Sequence, residues 1–204
     1  YDRRLDDIRA RGIHVSTAKG GDEIRLDPAV EIKVLGPLPP LKLAAESLND
    51  ISLVLRLRYK AKSVLFGGDI EKEGQQRLLK YSSATLRSDV LKAPHHGSED
   101  FLPAFYRAVS PEVVVISVGA SNRFGQPSPA AIATFKRMGA RVYRTDEAGA
   151  VFLRTDGYNL TVRTARRISR RAAFTAHIFP KGVKAPSFDF EFPLRGRLPL
   201  RKLA

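Results

Sequence analysis

Two short apolar runs between Val64 and Ser98 each stop abruptly at residues able to bind a metal, and this constrains the chain more than any other feature. Val64-Leu65-Phe66 ends in Gly67-Gly68-Asp69, and Asp89 to Ala93 ends in Pro94-His95-His96-Gly97-Ser98. Between them, Glu71 to Tyr81 has helical composition with Leu78 and Leu79 placed to face inward. Strand, helix and strand at this spacing form a βαβ unit, whose strands are parallel. Both C-terminal ends then share one edge of the sheet. Asp69, His95 and His96 are therefore expected on one rim, where open α/β sheets place their sites. A carboxylate beside imidazole nitrogens suits zinc, manganese or iron. Other roles stay open, since an Asp after a strand also serves as a turn residue or helix cap, and adjacent histidines serve as polar loop residues.

The rest of the chain alternates strands and helices. Tyr1 to Arg11 reads as a helix stopped by Gly12, and Ile13 to Thr17 alternates as a strand does. Ile24 to Leu26 and Val30 to Leu35 are short strands, the second closed by Gly36-Pro37, and Pro37 to Glu46 is a proline-rich loop. Asn49-Asp50 reads as a cap or turn. Ile51 to Arg58 places Ile51, Leu53, Leu55 and Leu57 on one face and Ser52, Val54, Arg56 and Arg58 on the other, as a half-buried strand would. It forms a hairpin with Ser63 to Phe66. Phe101 to Val109 and Pro129 to Met138 read as helices. Val113 to Val118 reads as a strand buried on both faces, ending at Gly119-Ala120-Ser121-Asn122. Arg141 to Thr145 and Ala150 to Thr155 are strands around the turn Asp146 to Gly149, and a further hairpin leads into Tyr158 to Val162. The pattern predicts an α/β fold with a mixed sheet and flanking helices.

Composition narrows the classes. There is no Cys, which excludes disulfides and thiolate ligands. No apolar run reaches the roughly 18 residues of a membrane span. The chain opens Y-D-R-R-L-D-D without an initiator Met, and is read as a piece of something longer. Its charge is uneven: residues 163–204 hold eleven Lys/Arg and two Asp/Glu, a net of +9 out of +14. Residues 1–162 are expected to form one domain and 163–204 a basic tail containing Pro and Phe. Such a tail is either a solvated extension or a patch for polyanions such as nucleic acid or anionic lipid.

Five segments occur in the order and at the spacing of a known family: L-N-D-I-S-L-V-L-R-L, G-D-I-E, L-K-A-P-H-H-G-S, S-V-G-A-S-N-R-F-G-Q-P and G-A-R-V-Y-R-T-D-E-A-G-A-V. Across about Ile13 to Leu153 the chain resembles the metallo-β-lactamase-like domain of ComEC-type DNA-uptake proteins. The resemblance implies the C-terminal portion of an αββα sandwich. It also implies a soluble domain carried by a bacterial inner-membrane protein, and a divalent metal, manganese or zinc, in the complete domain. DNA, single- or double-stranded, is the implied partner, with membrane association through segments of the parent.

Metal-dependent phosphodiester hydrolysis requires activated water, stabilisation of the negative charge in the transition state, and a proton or metal for the leaving oxygen. Asp69 is the candidate bridging ligand. His95 and His96 are candidate nitrogen ligands, and an imidazole not bound to metal is a candidate proton donor. Lys92 is a candidate phosphate contact or an ordinary strand residue. Ser98 and Asn122 are candidate substrate contacts, and Asn122 also a catalytic candidate. Gln126 stands where the family's N-x-x-G-H-P has His, and an amide neither ligates metal well nor transfers protons. The family hydrolases carry H-x-H-x-D-H in their first half. That string is absent here, and the remaining histidines are His14 and His177. The expectation is therefore an incomplete metal site and slight hydrolysis. The alternatives are a catalytically inactive DNA-binding or structural remnant, and a metallohydrolase of a small substrate.

Overall fold

The two runs that flank Gly67-Gly68-Asp69 and Pro94-His95-His96 do pair in parallel: Val64 lies opposite Val90, Leu65 opposite Leu91 and Phe66 opposite Lys92. The structure is a computed structural model that describes residues 2–38, 47–166 and 200–201. Helix α1 (Asp2–Ala10) is followed by the antiparallel strands β1 (Glu23–Asp27), β2 (Val30–Gly36), β3 (Val54–Tyr59) and β4 (Lys62–Phe66). Then come α2 (Lys72–Leu86), β5 (Val90–Lys92), α3 (Pro103–Val109), β6 (Val113–Ile116), α4 (Pro129–Arg137) and β7 (Arg141–Arg144). A one-turn helix α5 (Thr145–Ala148), the ribbon β8 (Val151–Thr155) and β9 (Leu160–Thr164), and β10 (Leu200–Arg201) complete the described elements. The main sheet runs β10-β1-β2-β3-β4-β5-β6-β7, with β4 to β7 parallel and the rest antiparallel. This is the predicted mixed sheet with flanking helices.

Because successive strand residues face opposite ways, the register separates two faces. Leu65, Leu91, Val114 and Val142 lie in line, and with Val54 they pack under Leu78 and Leu86 of α2, Phe105, Tyr106 and Val109 of α3, and Phe135 of α4. Tyr106 centres this core, its ring 4.5 Å from Phe135 and 5.2 Å from Phe101. Each such fully buried large side chain contributes about 1.5–3 kcal/mol. The second face carries Leu55, Leu57, Val64, Phe66 and Val113, with Phe66 and Leu53 near its rim still 42% and 45% exposed. The β8–β9 ribbon starts beyond β7, and its tip meets the turn between β3 and β4, where the Ala61 amide donates to the Gly157 carbonyl at 2.9 Å. The ribbon thus bridges from the β7 edge of the sheet to the β3–β4 turn.

Three expectations need correction. Ile13 to Thr17 is not a strand: β1 already has β2 on one edge and β10 on the other, so no edge is left beside it. Leu48–Ile51 is a one-turn 3₁₀ helix, so β3 begins only at Val54, and Val54 rather than the leucine row enters the helix-covered core. Asp146 to Gly149 is mostly a helical turn rather than an open one, with Arg144 paired to Asp146 at 2.5 Å and to Glu147 at 2.8 Å. The proline-rich loop from residue 39 to 46 and most of the basic tail lie outside the described residues, although Leu200–Arg201 adds a strand to β1.

The cap reading of Asp50 holds in an unexpected form. Its carboxylate accepts from the amides of Glu71 at 2.8 Å and Gly74 at 2.9 Å, so it caps α2 from a segment preceding β3. At the opposite edge of the sheet, Asp89 ties β5 to β4 through Lys62 Nζ at 3.1 Å, the Ser63 amide at 2.7 Å and the Ser63 hydroxyl at 2.9 Å. Burial works to raise the Asp89 pKa, but those hydrogen bonds and the Lys62 charge outweigh it and hold it below its ordinary 3.8. A depressed carboxylate pKa contributes stability that is fully present above the unfolded value and is lost as pH falls through the folded one. Asp89→Asn is expected to lower unfolding free energy by about 1–3 kcal/mol at pH 7. In urea titrations the gap to the unaltered chain should close once pH falls below the lowered value; a gap that persists there would show that the charge is not what stabilises the tie.

Candidate functional site at the strand-end rim

The parallel strands bring Asp69, Lys92, His95, His96 and Ser117 to one edge of the sheet. The approach of β4 to β5 at this edge is close. A Cβ on Gly67 would lie 2.5 Å from Pro94 Cγ, and Gly68, at φ +57°, would put one 2.7 Å from Ser52 Cβ. Only glycine satisfies both positions. The Ser52 hydroxyl then accepts from the Asp69 amide at 3.1 Å, fixing the acidic residue at the end of β4.

The turn Pro94–Gly97 holds the imidazoles. His95 and His96 both have left-handed backbones, at φ 43° and 56°. For L-residues this conformation costs roughly 1–2 kcal/mol each. Three bonds hold the turn. The His95 amide donates to the Gly68 carbonyl at 3.1 Å, and the Ser128 amide to the Gly97 carbonyl at 2.8 Å. His96 Nδ1 lies 2.7 Å from the Ser117 carbonyl. A carbonyl only accepts, so Nδ1 carries a proton, and in the neutral ring the lone pair is on Nε2. Ser117 is steadied in turn by its neighbour: the Thr145 hydroxyl accepts from the Val118 amide and donates to the Val118 carbonyl, each at 2.7 Å.

The predicted trio divides into two pairs. His96 Nε2 stands 3.8 Å from Asp69 Oδ1, and His95 Nε2 stands 3.6 Å from Glu71 Oε1. Glu71 is positioned by Asn49, whose amide donates to Oε1 at 2.8 Å. His95 Nδ1 is buried without a hydrogen-bond partner. Lys92 turns its ammonium onto the Ala93 carbonyl at 2.8 Å. Burial pulls its pKa below the ordinary value, and the Asp69 charge opposes that shift, so Lys92 and Asp69 share one electrostatic environment. The Ser98 hydroxyl accepts from the Asp100 amide at 3.1 Å. The Asn122 amide donates to the Gln126 carbonyl at 2.5 Å and its oxygen accepts from the Phe124 amide, so this side chain braces its own loop.

A cation between Asp69 and His96 fits the donor set. Metal–nitrogen and metal–oxygen bonds of about 2.0–2.2 Å bridge a 3.8 Å gap only at roughly 120–145°, wider than the tetrahedral angle, so the two side chains would close by a few tenths of an ångström on a bound ion; the carbonyl behind His96 is the usual partner of a ligating imidazole. His95 does not join that pair, and no three or more His, Asp or Glu side chains gather to hold an ion among the described residues. The residues that sequence reasoning missed are Glu71, Ser52, Ser117 and Thr145. Glu71 is visible as a carboxylate two positions after Asp69. Ser52 and Thr145 act through hydroxyls bonded to main-chain groups and Ser117 through its own carbonyl, and none of these leaves a motif.

Over 148 residues, 72% of this chain, the sequence is 32% identical to ComE operon protein 3 of Bacillus subtilis (strain 168). Over 104 residues, half of this chain, it is 35% identical to Competence protein ComA of Neisseria gonorrhoeae. The likeness supports a competence-protein family. The matches span 18% and 15% of those two proteins' lengths. No protein-family model matches the chain. Among the described residues no helix is long and apolar enough to cross a membrane.

The turn's geometry gives a direct test. Replacing His95 by Gly removes a left-handed L-residue and a buried unpaired nitrogen, at the cost of the packed ring. His95→Gly is expected to raise stability by about 1 kcal/mol in urea unfolding. A drop of that size instead would mean that packing of the ring, not function, keeps histidine there.

Proposed function

We propose that this chain is part of a metal-dependent phosphodiesterase domain of a competence protein, acting at the strand-end rim on DNA taken up by its parent. The observation that carries the reading is the Asp69–His96 pair: a lone-pair imidazole nitrogen facing a carboxylate across 3.8 Å, beside a partly desolvated lysine. Such a pair is poised for a divalent cation, and a competence relationship makes DNA the natural phosphodiester. The fold proposed is the metallo-β-lactamase-like αββα sandwich. Support comes from the sheet's second face, where exposed Leu53 and Phe66 and the crossing β8–β9 ribbon fit a second β layer rather than a solvated surface. The parent is proposed to be a bacterial inner-membrane protein that carries this domain.

Asp69 and His96 would hold the manganese or zinc, which when bound supplies Lewis-acid polarisation and water of lowered pKa. The chain's own groups do the rest. Lys92 offers a cation to a phosphate oxygen once its bond to the Ala93 carbonyl is exchanged. His95, its Nε2 3.6 Å from Glu71 Oε1 and outside the Asp69–His96 pair, is the imidazole left to protonate a leaving oxygen. The division of donors into two pairs favours a second reading as well, DNA binding without turnover.

Calorimetry with Mn²⁺ is expected to give a single weak isotherm that Asp69→Asn or His96→Ala removes and His95→Ala preserves. Equal loss in the His95 variant would mean that the three side chains act as one centre. A 5′-labelled oligonucleotide with Mn²⁺ then separates the readings. Slow cleavage that Asp69→Asn abolishes supports hydrolysis, whereas binding without cleavage supports the second reading. Cleavage indifferent to Asp69 would exclude this rim as the catalytic site.

A further inference from the structure

The connection from β6 to α4, Ser117 to Ser128, has both ends on the histidine turn. Ser117 accepts from His96 Nδ1 at 2.7 Å, and the Ser128 amide donates to the Gly97 carbonyl at 2.8 Å. The loop between these ends is braced from within. Asn122 donates to the Gln126 carbonyl and accepts from the Phe124 amide, and its own amide donates to the Gly119 carbonyl at 3.2 Å. At the tip of this braced loop Phe124 is 86% exposed, more than any other exposed large hydrophobic side chain among the described residues. Arg123, beside it, is exposed and has no ion-pair partner among them. From Ser117 to Ser128 the loop carries that one charge and no carboxylate.

An aromatic ring in water is unfavourable, and the bracing of the backbone holds it there rather than letting it fold onto the core. We infer that Phe124 is a stacking platform for an unpaired nucleobase and Arg123 its phosphate or base-plane partner. The strand presented to the Asp69–His96 rim is then single-stranded DNA rather than duplex. This rests on the phosphodiester reading of that rim and adds the form of the substrate. A ring stacks on any exposed base face without sequence preference, whereas in a duplex those faces are occupied by neighbouring bases. An adjacent guanidinium adds charge attraction to the backbone or stacks in turn. The loop's anchoring fits that role, because both its ends are bonded to the histidine turn at which a strand's phosphate would lie.

The test uses the full chain and fluorescently labelled oligonucleotides of one sequence as single strand, duplex and abasic single strand. Phe124→Ala is expected to weaken single-strand binding roughly 5- to 100-fold, leave duplex binding within about twofold, and leave abasic-strand binding unchanged. The chain has no Trp, so Phe124→Trp supplies a sole reporter. Its emission should be quenched by the single strand and not by the duplex, with affinity retained. If the unaltered chain binds no DNA of any form, the phosphodiester reading and the stacking inference fall together. If it binds DNA but Phe124→Ala binds the single strand equally well, or loses single, duplex and abasic strands alike, the stacking inference alone is overturned. Indole emission from the Phe124→Trp chain that responds to anionic phospholipid vesicles and not to single strands would likewise overturn it, and would make the tip a membrane contact.

Discussion

His95 and His96 sit side by side in left-handed backbone conformations, and the rim depends on whatever holds them there. The conformational cost, roughly 1–2 kcal/mol per residue, is offset by a turn bonded to its neighbours on several sides. The end of β4 supplies the Gly68 carbonyl, the end of β6 supplies the Ser117 carbonyl, and the entry to α4 supplies the Ser128 amide. Strain of this kind persists where the surroundings over-determine it, and it collects at functional sites. Here it aims two adjacent imidazoles at two different carboxylates, which an extended dipeptide alternating faces in a strand would not achieve in the same way.

The carboxylates are as firmly placed. Asp50 caps α2 at Glu71 and Gly74, Asn49 steadies the Glu71 side chain, and Ser52 holds the Asp69 amide. One short segment before β3 therefore sets both acidic partners of the histidines. The buried positive end of α2 is satisfied by Asp50, which frees Asp69 and Glu71 from the capping role that their position suggests. Lys92 completes the arrangement as a cation kept partly out of water beside Asp69. A desolvated lysine gains more from a phosphate than a fully hydrated one, since less water must be displaced.

Much of this is legible in the sequence. Apolar runs ending at Gly67-Gly68-Asp69 and Pro94-His95-His96 point to the parallel pair and the shared rim, because strand polarity alone decides which edge their ends occupy. The helix after Asp69 and the β3–β4 hairpin follow from composition and alternation. Other features are not legible, for identifiable reasons. The leucine row of Ile51 to Arg58 looks like the core face, but it lies on the face opposite the helices, where Leu53 and Phe66 stay 45% and 42% exposed, and periodicity cannot say which side the helices take. Asp50 caps a helix 21 residues ahead, a tertiary relation with no local pattern. The separation of His95 from His96 rests on two successive left-handed backbones, which are uncommon for any residue but glycine, and the proton on His96 Nδ1 is set by a main-chain carbonyl. Asn122 reads in the sequence as a substrate contact, while its side chain shapes the loop that presents Phe124.

The Asp69–His96 gap is proposed as the point where a cation and a DNA phosphate meet. Paramagnetic broadening by Mn²⁺, followed by NMR on the chain with a bound oligonucleotide, tests it directly. The expected result is that the Asp69 and His96 side-chain signals and the phosphorus signals of the bound strand broaden first and together, while those of Asp146 and Glu147 beyond β7 stay sharp. Broadening that begins at Asp146 and Glu147, or that leaves the phosphorus signals untouched while His96 disappears, would contradict it.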